Sequence, residues 1–332
     1  MKGRKLWTGG AVLLALGLVG GATVGGTFAA FRFSTSNGTN TFSAAPDWVG
    51  PSASATVIGR NGDCSPGKPG FIKQGASYYV YATVADSGNP ASGIATVNGN
   101  VSSVSTGQNS VALAAGAYSA GGTAYNHRTA SVTANNPLAN GNYTYSLTSK
   151  DNAGNTNVQP GFPVVVDNTA PGGVNVQTAN GPGTAGLPDL GDTVTFTYSE
   201  PIEPCSILAG WSGAATNVVV QLFDVGGTPD YLGVLDMAQS MLLGTGFINL
   251  GPTRGNYTSA GATFGSSGTP STMVASGSTI TVTLGTLSAG SVQTAPGTDT
   301  MVWTPSANAT DNAGNACSTT NVNESGPADK EF

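Results

Sequence analysis

Short runs of alternating apolar and polar residues, each closed by turn-forming residues, recur through the middle of the chain. The run at 78–84 is rich in tyrosine and valine, and an Asp, Ser, Gly, Asn and Pro segment at 86–90 ends it. This composition and period are typical of a strand with one buried face, followed by a turn. The same signals predict strands at 94–101, 111–113, 130–132, 141–148 and 161–166. So many short strands within about 100 residues favour a β-sandwich.

The same pattern returns after residue 171. Strands are predicted there at 174–178, 193–198, 218–223, 279–284 and 300–304. The stretch 226–273 is long for a loop, and its middle part, 231–250, is compatible with either a hairpin or a short helix. The chain therefore divides into two β-rich halves, and each half is long enough to bury a core of its own.

One pentapeptide, Asp-Asn-Ala-Gly-Asn, occurs twice, at 151–155 and at 311–315. Its aspartate can accept backbone N–H bonds while its glycine takes a positive φ, so we predict a turn that closes a hairpin. The residues that define these turns are Asp151, Gly154, Asp311 and Gly314. A calcium site is the alternative. It is disfavoured because hard cations take about six or more oxygen ligands and no second acidic residue stands close in sequence.

Several segments of the first half resemble a bacterial Ig-like repeat. They include Thr83-Val84-Ala85-Asp86, Tyr143-Thr144-Tyr145, the first pentapeptide and the exit Asn168-Thr169-Ala170-Pro171. In the second half, residues 195–202 resemble the opening of the SbsA-type Ig-like domain of bacterial envelope proteins, and 311–315 its closing motif. The resemblance implies an all-β fold with two tandem immunoglobulin-like β-sandwich domains, at residues 71–171 and 172–332.

The first 30 residues have the pattern of a secretion signal peptide. Lys2, Arg4 and Lys5 precede a short apolar run that glycines then interrupt. An uncleaved anchor is the alternative, but a spanning helix needs about 20 apolar residues. The small residues Ala29 and Ala30 predict a mature chain that begins at Phe31 and has no transmembrane segment.

Residues 25–31 and 41–44 resemble the leader of the TasA and camelysin family, whose members are exported and in some cases form matrix fibres. Arg32-Phe33 replaces the acidic residue that commonly follows there, so the resemblance implies export rather than the fibre. Residues 31–70, rich in Ser, Asn, Gly and Pro, predict an extended arm or linker. A strand added to its own or another sandwich is the alternative that Trp48 favours, and residues 31–49 would then support self-association.

Composition narrows the function classes. Only 8% of the 332 residues are charged, 49 are glycine, and the formal net charge is −6. The few scattered basic residues argue against nucleic-acid binding through phosphate neutralisation. Small and hydroxylated residues take the place of charge, which fits a secreted or cell-surface bacterial protein.

Catalytic and cofactor-binding patterns are missing from the sequence. His127 is the single histidine, and we expect it at the surface or at a strand end, since no nucleophile-elbow pattern lies beside it. Glu200 and Glu203 flank Pro201 and are expected to be solvated rather than to perform acid-base chemistry. The sequence therefore predicts a protein that is not an enzyme and binds neither cofactor nor metal.

Two classes of function remain. The first is an exported structural or adhesive module that associates with itself or with other envelope components. The second is a carbohydrate- or protein-binding receptor module, for which Tyr125, Trp211 and Trp303 are the candidate binding aromatics. For Trp211, a place in the core is favoured over a place in such a platform.

The chain has three cysteines, and export would place them in an oxidising setting. In an Ig-like sandwich, the loop after the second strand and the turn before the last strand lie at the same end. Cys205 and Cys317 occupy those positions, so we predict a disulfide between them, with Cys64 unpaired in the arm. Pairing of Cys64 with either one, or with another molecule, is the alternative.

Overall fold

The computed structural model describes residues 47–60 and 67–332. The predicted all-β fold class is confirmed, because nearly all regular structure in these residues is strand. The first nine strands are β1 (Ser52–Arg60), β2 (Phe71–Ile72), β3 (Ser77–Ala85), β4 (Ile94–Asn100), β5 (Val111–Ala120), β6 (Thr123–Thr129), β7 (Val132–Thr133), β8 (Gly141–Asp151) and β9 (Thr156–Val166). The predictions for the signal peptide, for residues 31–46 and for Cys64 lie outside the described residues.

The second set of strands follows a short extended segment. These strands are β10 (Gly173–Ala179), β11 (Thr193–Tyr198), β12 (Thr216–Phe223), β13 (Tyr231–Leu235), β14 (Leu242–Asn249), β15 (Ala262–Phe264), β16 (Ser271–Ser276), β17 (Thr279–Thr283), β18 (Leu287–Gly290), β19 (Val302–Thr304) and β20 (Val322–Asn323). One short helix, α1 (Pro204–Ile207), lies between β11 and β12.

Strands β1 to β9 form the first sandwich. One sheet has the order β1-β3-β6-β5 and the other β5-β4-β8-β9-β2, so β5 belongs to both. Residues 111–112 of β5 pair with β4, and the rest of the strand pairs with β6. All pairs are antiparallel except β2 with β9. The core between the sheets contains inward-facing residues of both, among them Ile58, Tyr78, Leu147 and Val164.

Strands β10 to β20 form the second sandwich, with the sheet order β10-β11-β17-β16-β12 and then β12-β13-β14-β19-β20. β12 crosses from one sheet to the other, since residues 216–218 pair with β16 and residues 219–223 pair with β13. The core is separate from that of the first sandwich. Trp303 lies at its centre and packs edge-on against Phe196 and Tyr198, with ring centroids 5.3 and 4.9 Å away.

The segment predicted as an extended arm contributes a strand. β1 pairs along its whole length with β3, and Ile58 is fully buried. The alternative of a strand added to its own sandwich therefore holds for residues 52–60, and a flexible spacer does not. Trp48, just before this strand, is 66% exposed.

The two sandwiches contact each other where β1 and the residues on either side of β2 approach α1 and the second pentapeptide. The backbone N–H of Lys68 donates to Glu203 Oε2 at 2.8 Å, and Arg60 Nη2 lies 3.9 Å from the same oxygen. Lys73 Nζ donates to the carbonyl of Gly314 at 2.5 Å. Within residues 47–60 and 67–332, no helix has the length and apolar character that crossing a membrane requires.

Candidate functional site

The two pentapeptides fold into the same turn. In the first, the backbone N–H and side-chain amide of Asn155 donate to the two carboxylate oxygens of Asp151, both at 2.7 Å. In the second, Asn315 makes the same bonds to Asp311 at 2.8 and 2.7 Å. Gly154 and Gly314 have φ values of 99° and 83°, which only glycine adopts without strain. The first turn closes the β8–β9 hairpin, as predicted.

Each turn also binds the segment that enters its own sandwich. The side-chain amide of Asn155 donates to the carbonyl of Asp47 at 3.1 Å, ahead of β1. The amide of Asn315 donates to the carbonyl of Asp167 at 2.9 Å, ahead of β10. The pentapeptide is therefore a repeated clamp between the end of a sandwich and the chain leading into it.

Three acidic residues meet at the first clamp. Asp47, Asp86 and Asp151, here called the first turn cluster, each place one carboxylate oxygen within 4.8 Å of the others. Asp47 accepts the backbone N–H groups of Val49 and Ser92, and these bonds hold the pKa of Asp47 below its usual value. The carboxylates thus fasten the entry segment to the loop after β3.

The second clamp carries an equivalent set. Asp167, Glu200 and Asp311, the second turn cluster, also have oxygens within 4.8 Å of one another. Burial, and then repulsion from Asp167 and Asp311, raise the pKa of Glu200 to about 7. Both turn clusters have the oxygen-only donors that hard cations such as Ca²⁺ accept. The additional acids are distant from each pentapeptide in sequence, and the fold brings them to it.

A comparison of the two halves of the sequence would have found the additional acids. Asp86 follows β3 and Glu200 follows β11, so each acid comes shortly after the corresponding strand. Asp47 and Asp167 precede the first strand of their sandwiches in the same way. The pentapeptide alone did not reveal them, because folding brings them together from far apart in sequence.

Glu203, expected to be solvated beside Glu200, is 1% exposed and lies at the contact between the sandwiches. Burial raises its pKa, whereas the Lys68 N–H and the charges of Arg60 and Lys68 act in the opposite direction. Glu200 faces the second turn cluster instead. The two glutamates therefore have different partners and do not act as a carboxylate pair.

Two of the three predicted binding aromatics are in the core. Trp303 is fully buried and donates its indole N–H to the carbonyl of Thr245 at 2.8 Å. Trp211 is 5% exposed and donates to the carbonyl of Ala214 at 2.6 Å. Neither ring offers a face to a ligand, because both faces pack within the second sandwich. The prediction of a surface platform is wrong for Trp303, and the core position favoured for Trp211 is confirmed.

Tyr125 is half-buried in β6, where it pairs with Tyr118 of β5. Its ring lies 5.6 Å from that of Tyr81. The guanidinium of Arg128 stacks between Tyr79 and Tyr118, at 4.3 and 4.5 Å from their ring centroids. We call these five residues the tyrosine–arginine patch.

His127 lies within β6 and is 6% exposed, so the expected surface or strand-end position is wrong. Its Nδ1 is 2.7 Å from Asn126 Oδ1, and burial lowers its pKa. In this position the ring fills the interior side of the sheet opposite Ala82.

The predicted disulfide between Cys205 and Cys317 is wrong, because Cys317 is a free, buried thiol. Cys317 belongs to the core of the second sandwich, and its sulfur faces the Ser318 carbonyl at 3.4 Å. Cys205 lies in α1, with Sγ 3.7 Å from Glu203 Oε1, toward the contact with the first sandwich. The two cysteines thus have different surroundings, although both follow the expected strands.

Comparison of the chain with protein-family models and with curated proteins finds no match.

Proposed function

We propose that this chain is an exported, non-catalytic structural or adhesive protein of the bacterial cell surface or extracellular matrix. The observation that carries the proposal is the repeated clamp, in which Asn155 and Asn315 bind the segments that enter their sandwiches. Serial domains joined by free linkers move independently by default. A clamp at the entry to each sandwich instead suits a protein whose domains must keep a fixed orientation, as in a stalk or a fibre.

The surroundings of the candidate catalytic groups support a non-catalytic function. His127 is buried against the core, and Glu203 accepts a hydrogen bond from Lys68 at the contact between the sandwiches. A groove beside Glu203 is lined mainly by small residues and prolines, such as Gly213, Ala214 and Pro204. Ligand sites usually have aromatic walls and a few convergent polar groups.

Export and self-association are parts of the proposal that rest on the leader and on the residues that follow it. Trp48 and Val49 are 66% and 42% exposed beside the first clamp. Contiguous exposed apolar surface is a feature of protein contact sites. We therefore propose that this pair contacts a second copy or another envelope component.

The experiment compares the secreted full chain with Trp48→Ala by sedimentation and electron microscopy. We expect assemblies or cell-surface retention that Trp48→Ala reduces. Val174→Ala is the matched control, because Val174 is 55% exposed on the second sandwich and should be without effect. A chain that stays in the cytoplasm, or that is monomeric and unattached in both forms, would contradict the proposal.

A receptor module for carbohydrate or protein is the second candidate, and the tyrosine–arginine patch favours it. Tyrosine rings pack against the C–H faces of sugars while their hydroxyl groups and a guanidinium supply hydrogen bonds. Arg128 is already held between Tyr79 and Tyr118, so the patch is ordered before a ligand arrives. Binding on a glycan array or to cell-wall material that Tyr125→Ala abolishes, and Tyr231→Ala in the second sandwich does not, would support this function.

A further inference from the structure

Three acidic side chains converge in the last segment of the second sandwich. Glu324, Asp329 and Glu331, which we call the Glu331 cluster, each place one carboxylate oxygen within 4.8 Å of the others. Glu324 is 9% exposed and Glu331 1% exposed, whereas Asp329 is exposed to solvent. The cluster is separate from both pentapeptides and therefore from the clamps.

One oxygen of this cluster is buried without a hydrogen bond. Glu331 Oε2 accepts the hydroxyl of Thr178 at 2.6 Å, but Oε1 has no partner among the residues that the structure describes. By contrast, both carboxylate oxygens of Asp151 and of Asp311 accept hydrogen bonds from the asparagine of their turn. A buried ionised oxygen is costly unless a proton, a donor or a cation pairs with it.

No basic side chain in the described part of the chain forms an ion pair with the cluster. Glu324 Oε1 accepts the backbone N–H of Met301 at 2.9 Å, which leaves its second oxygen to face the other acids. Burial, and then the neighbouring acids, raise the pKa of Glu331 to about 9, although its bond from Thr178 opposes this. Burial likewise raises the pKa of Glu324.

We propose that Glu331 Oε1, Glu324 and Asp329 bind a divalent cation of the Ca²⁺ class. The donors are all carboxylate oxygens, which suit hard cations, whereas Zn²⁺ prefers nitrogen and sulfur ligands. Ca²⁺ accepts six to eight oxygens in flexible geometry, and water reaches the exposed side of Asp329 to complete the shell. Mg²⁺ needs a near-octahedral shell and gives up its water reluctantly, so it fits this set less well.

The cation would fasten the last segment to the body of the second sandwich. The backbone of Asp329 makes two hydrogen bonds with Asp299, and the N–H of Glu331 donates to the Tyr257 hydroxyl at 2.6 Å. The ring of Phe332 packs edge-on against Tyr257 at 5.7 Å. Binding to the folded state alone would raise the free energy of unfolding with the Ca²⁺ concentration.

The test uses the purified full chain after treatment with a chelator. Calcium should bind by calorimetry, raise the midpoint of thermal unfolding and slow hydrogen exchange at residues 324–332. Glu331→Gln should weaken Ca²⁺ binding by about tenfold or more at this site. Asp329→Asn should do the same, and because its side chain is exposed, this variant tests the site even if Glu331→Gln folds poorly.

Asp311→Asn distinguishes Ca²⁺ binding at the second turn cluster from Ca²⁺ binding at the Glu331 cluster. That variant should retain the slowed exchange at residues 324–332 on addition of Ca²⁺. Terbium provides a second signal, because Tyr257 beside Glu331 should sensitise its luminescence, and Tyr257→Phe should remove most of it. The proposal is overturned if Ca²⁺ does not bind, or if Glu331→Gln and Asp329→Asn respond to it as the unaltered protein does.

Discussion

The side-chain amide of Asn315 joins the carbonyl of Asp167 to the carboxylate of Asp311, with hydrogen bonds of 2.9 and 2.7 Å. Asn315→Ala removes both bonds and leaves an oxygen of the buried Asp311 carboxylate without a donor. We expect a loss of about 2 kcal/mol in the free energy of unfolding, measured by denaturant titration.

Two controls accompany Asn315→Ala. Asn155→Ala should have an effect of similar size, because Asn155 bonds Asp47 and Asp151 in the same way. Asn308→Ala, at an exposed position, should change stability by no more than about 0.5 kcal/mol. If both clamp variants were as stable as Asn308→Ala, the clamps would contribute nothing to the free energy of unfolding.

Sequence patterns located the strands best where β-branched residues alternate with polar ones. The prediction at 193–198 coincides with β11, and that at 279–284 is one residue longer than β17. The sequence of β1 predicts an arm because serine, alanine and threonine occupy most of its first half, so its buried face shows only from residue 57 onward. For 231–250 the hairpin alternative is confirmed by β13 and β14, but glycine and threonine interrupt their apolar runs, so the pattern alone did not distinguish a hairpin from a helix. β15 has only three residues and was not predicted.

The candidate site was predictable only in part. Asp151 and Asp311 were identified, because the pentapeptide repeats and its turn chemistry is local. Asp47 and Glu200 reach the same places through the tertiary fold, which sequence spacing does not reveal. Glu324 and Glu331 had no signal in the sequence, since only the folded segment buries them.

The thiol of Cys317 should resist alkylation in the folded protein. It is 3% exposed, and burial, followed by the charge of Glu200, raises its pKa to about 11. At pH 8 the thiolate is therefore scarce as well as inaccessible, and the thiolate is the reactive form. Peptide mapping after iodoacetamide treatment should find Cys317 unmodified in the native chain and fully modified in denaturant. Rapid native labelling would contradict the buried position.

A disulfide in the exported chain should join Cys205 to Cys64. Cys317 carries a free thiol, so it leaves these as the remaining pair among the three cysteines. Arg60 and Lys68, on either side of Cys64 in sequence, both reach Glu203, two residues before Cys205. The bond would close a long loop and stabilise the fold by about 4 kcal/mol in the entropic model, less any strain. Non-reducing peptide mapping that links Cys317 instead would refute this pairing.

Glu203 should stabilise the fold more through the hydrogen bond that it accepts than through its charge. Glu203→Ala removes the buried carboxylate that accepts the Lys68 N–H, and we expect a loss of about 2 kcal/mol in the free energy of unfolding. Glu203→Gln keeps an oxygen there and should change stability by about 1 kcal/mol or less. Similar losses for both variants would assign the main contribution to the charge.

The pH dependence of Glu203→Gln has a defined sign. Burial raises the pKa of Glu203 above its ordinary 4.5, so the folded state binds this proton more tightly than the unfolded chain does. Its contribution to stability is therefore greatest below pH 4.5 and declines as the pH rises through the folded pKa. The Gln variant lacks this decline, so its stability relative to wild type should increase over that range in denaturant titrations.

Gly154→Ala and Gly314→Ala should differ in how much they lower the free energy of unfolding. Both have positive φ, so backbone strain should cost each variant about 1 kcal/mol. A Cβ at Gly154 meets open space, whereas one at Gly314 would fall 2.0 Å from Arg60 Nη1 and displace this side chain of the first sandwich from Glu203. Gly314→Ala should therefore lose more stability than Gly154→Ala.

Adding Arg60→Ala should make the two glycine substitutions equally costly, since coupling is confined to residues in contact. Purely additive effects of Arg60→Ala and Gly314→Ala would mean that the two residues do not meet.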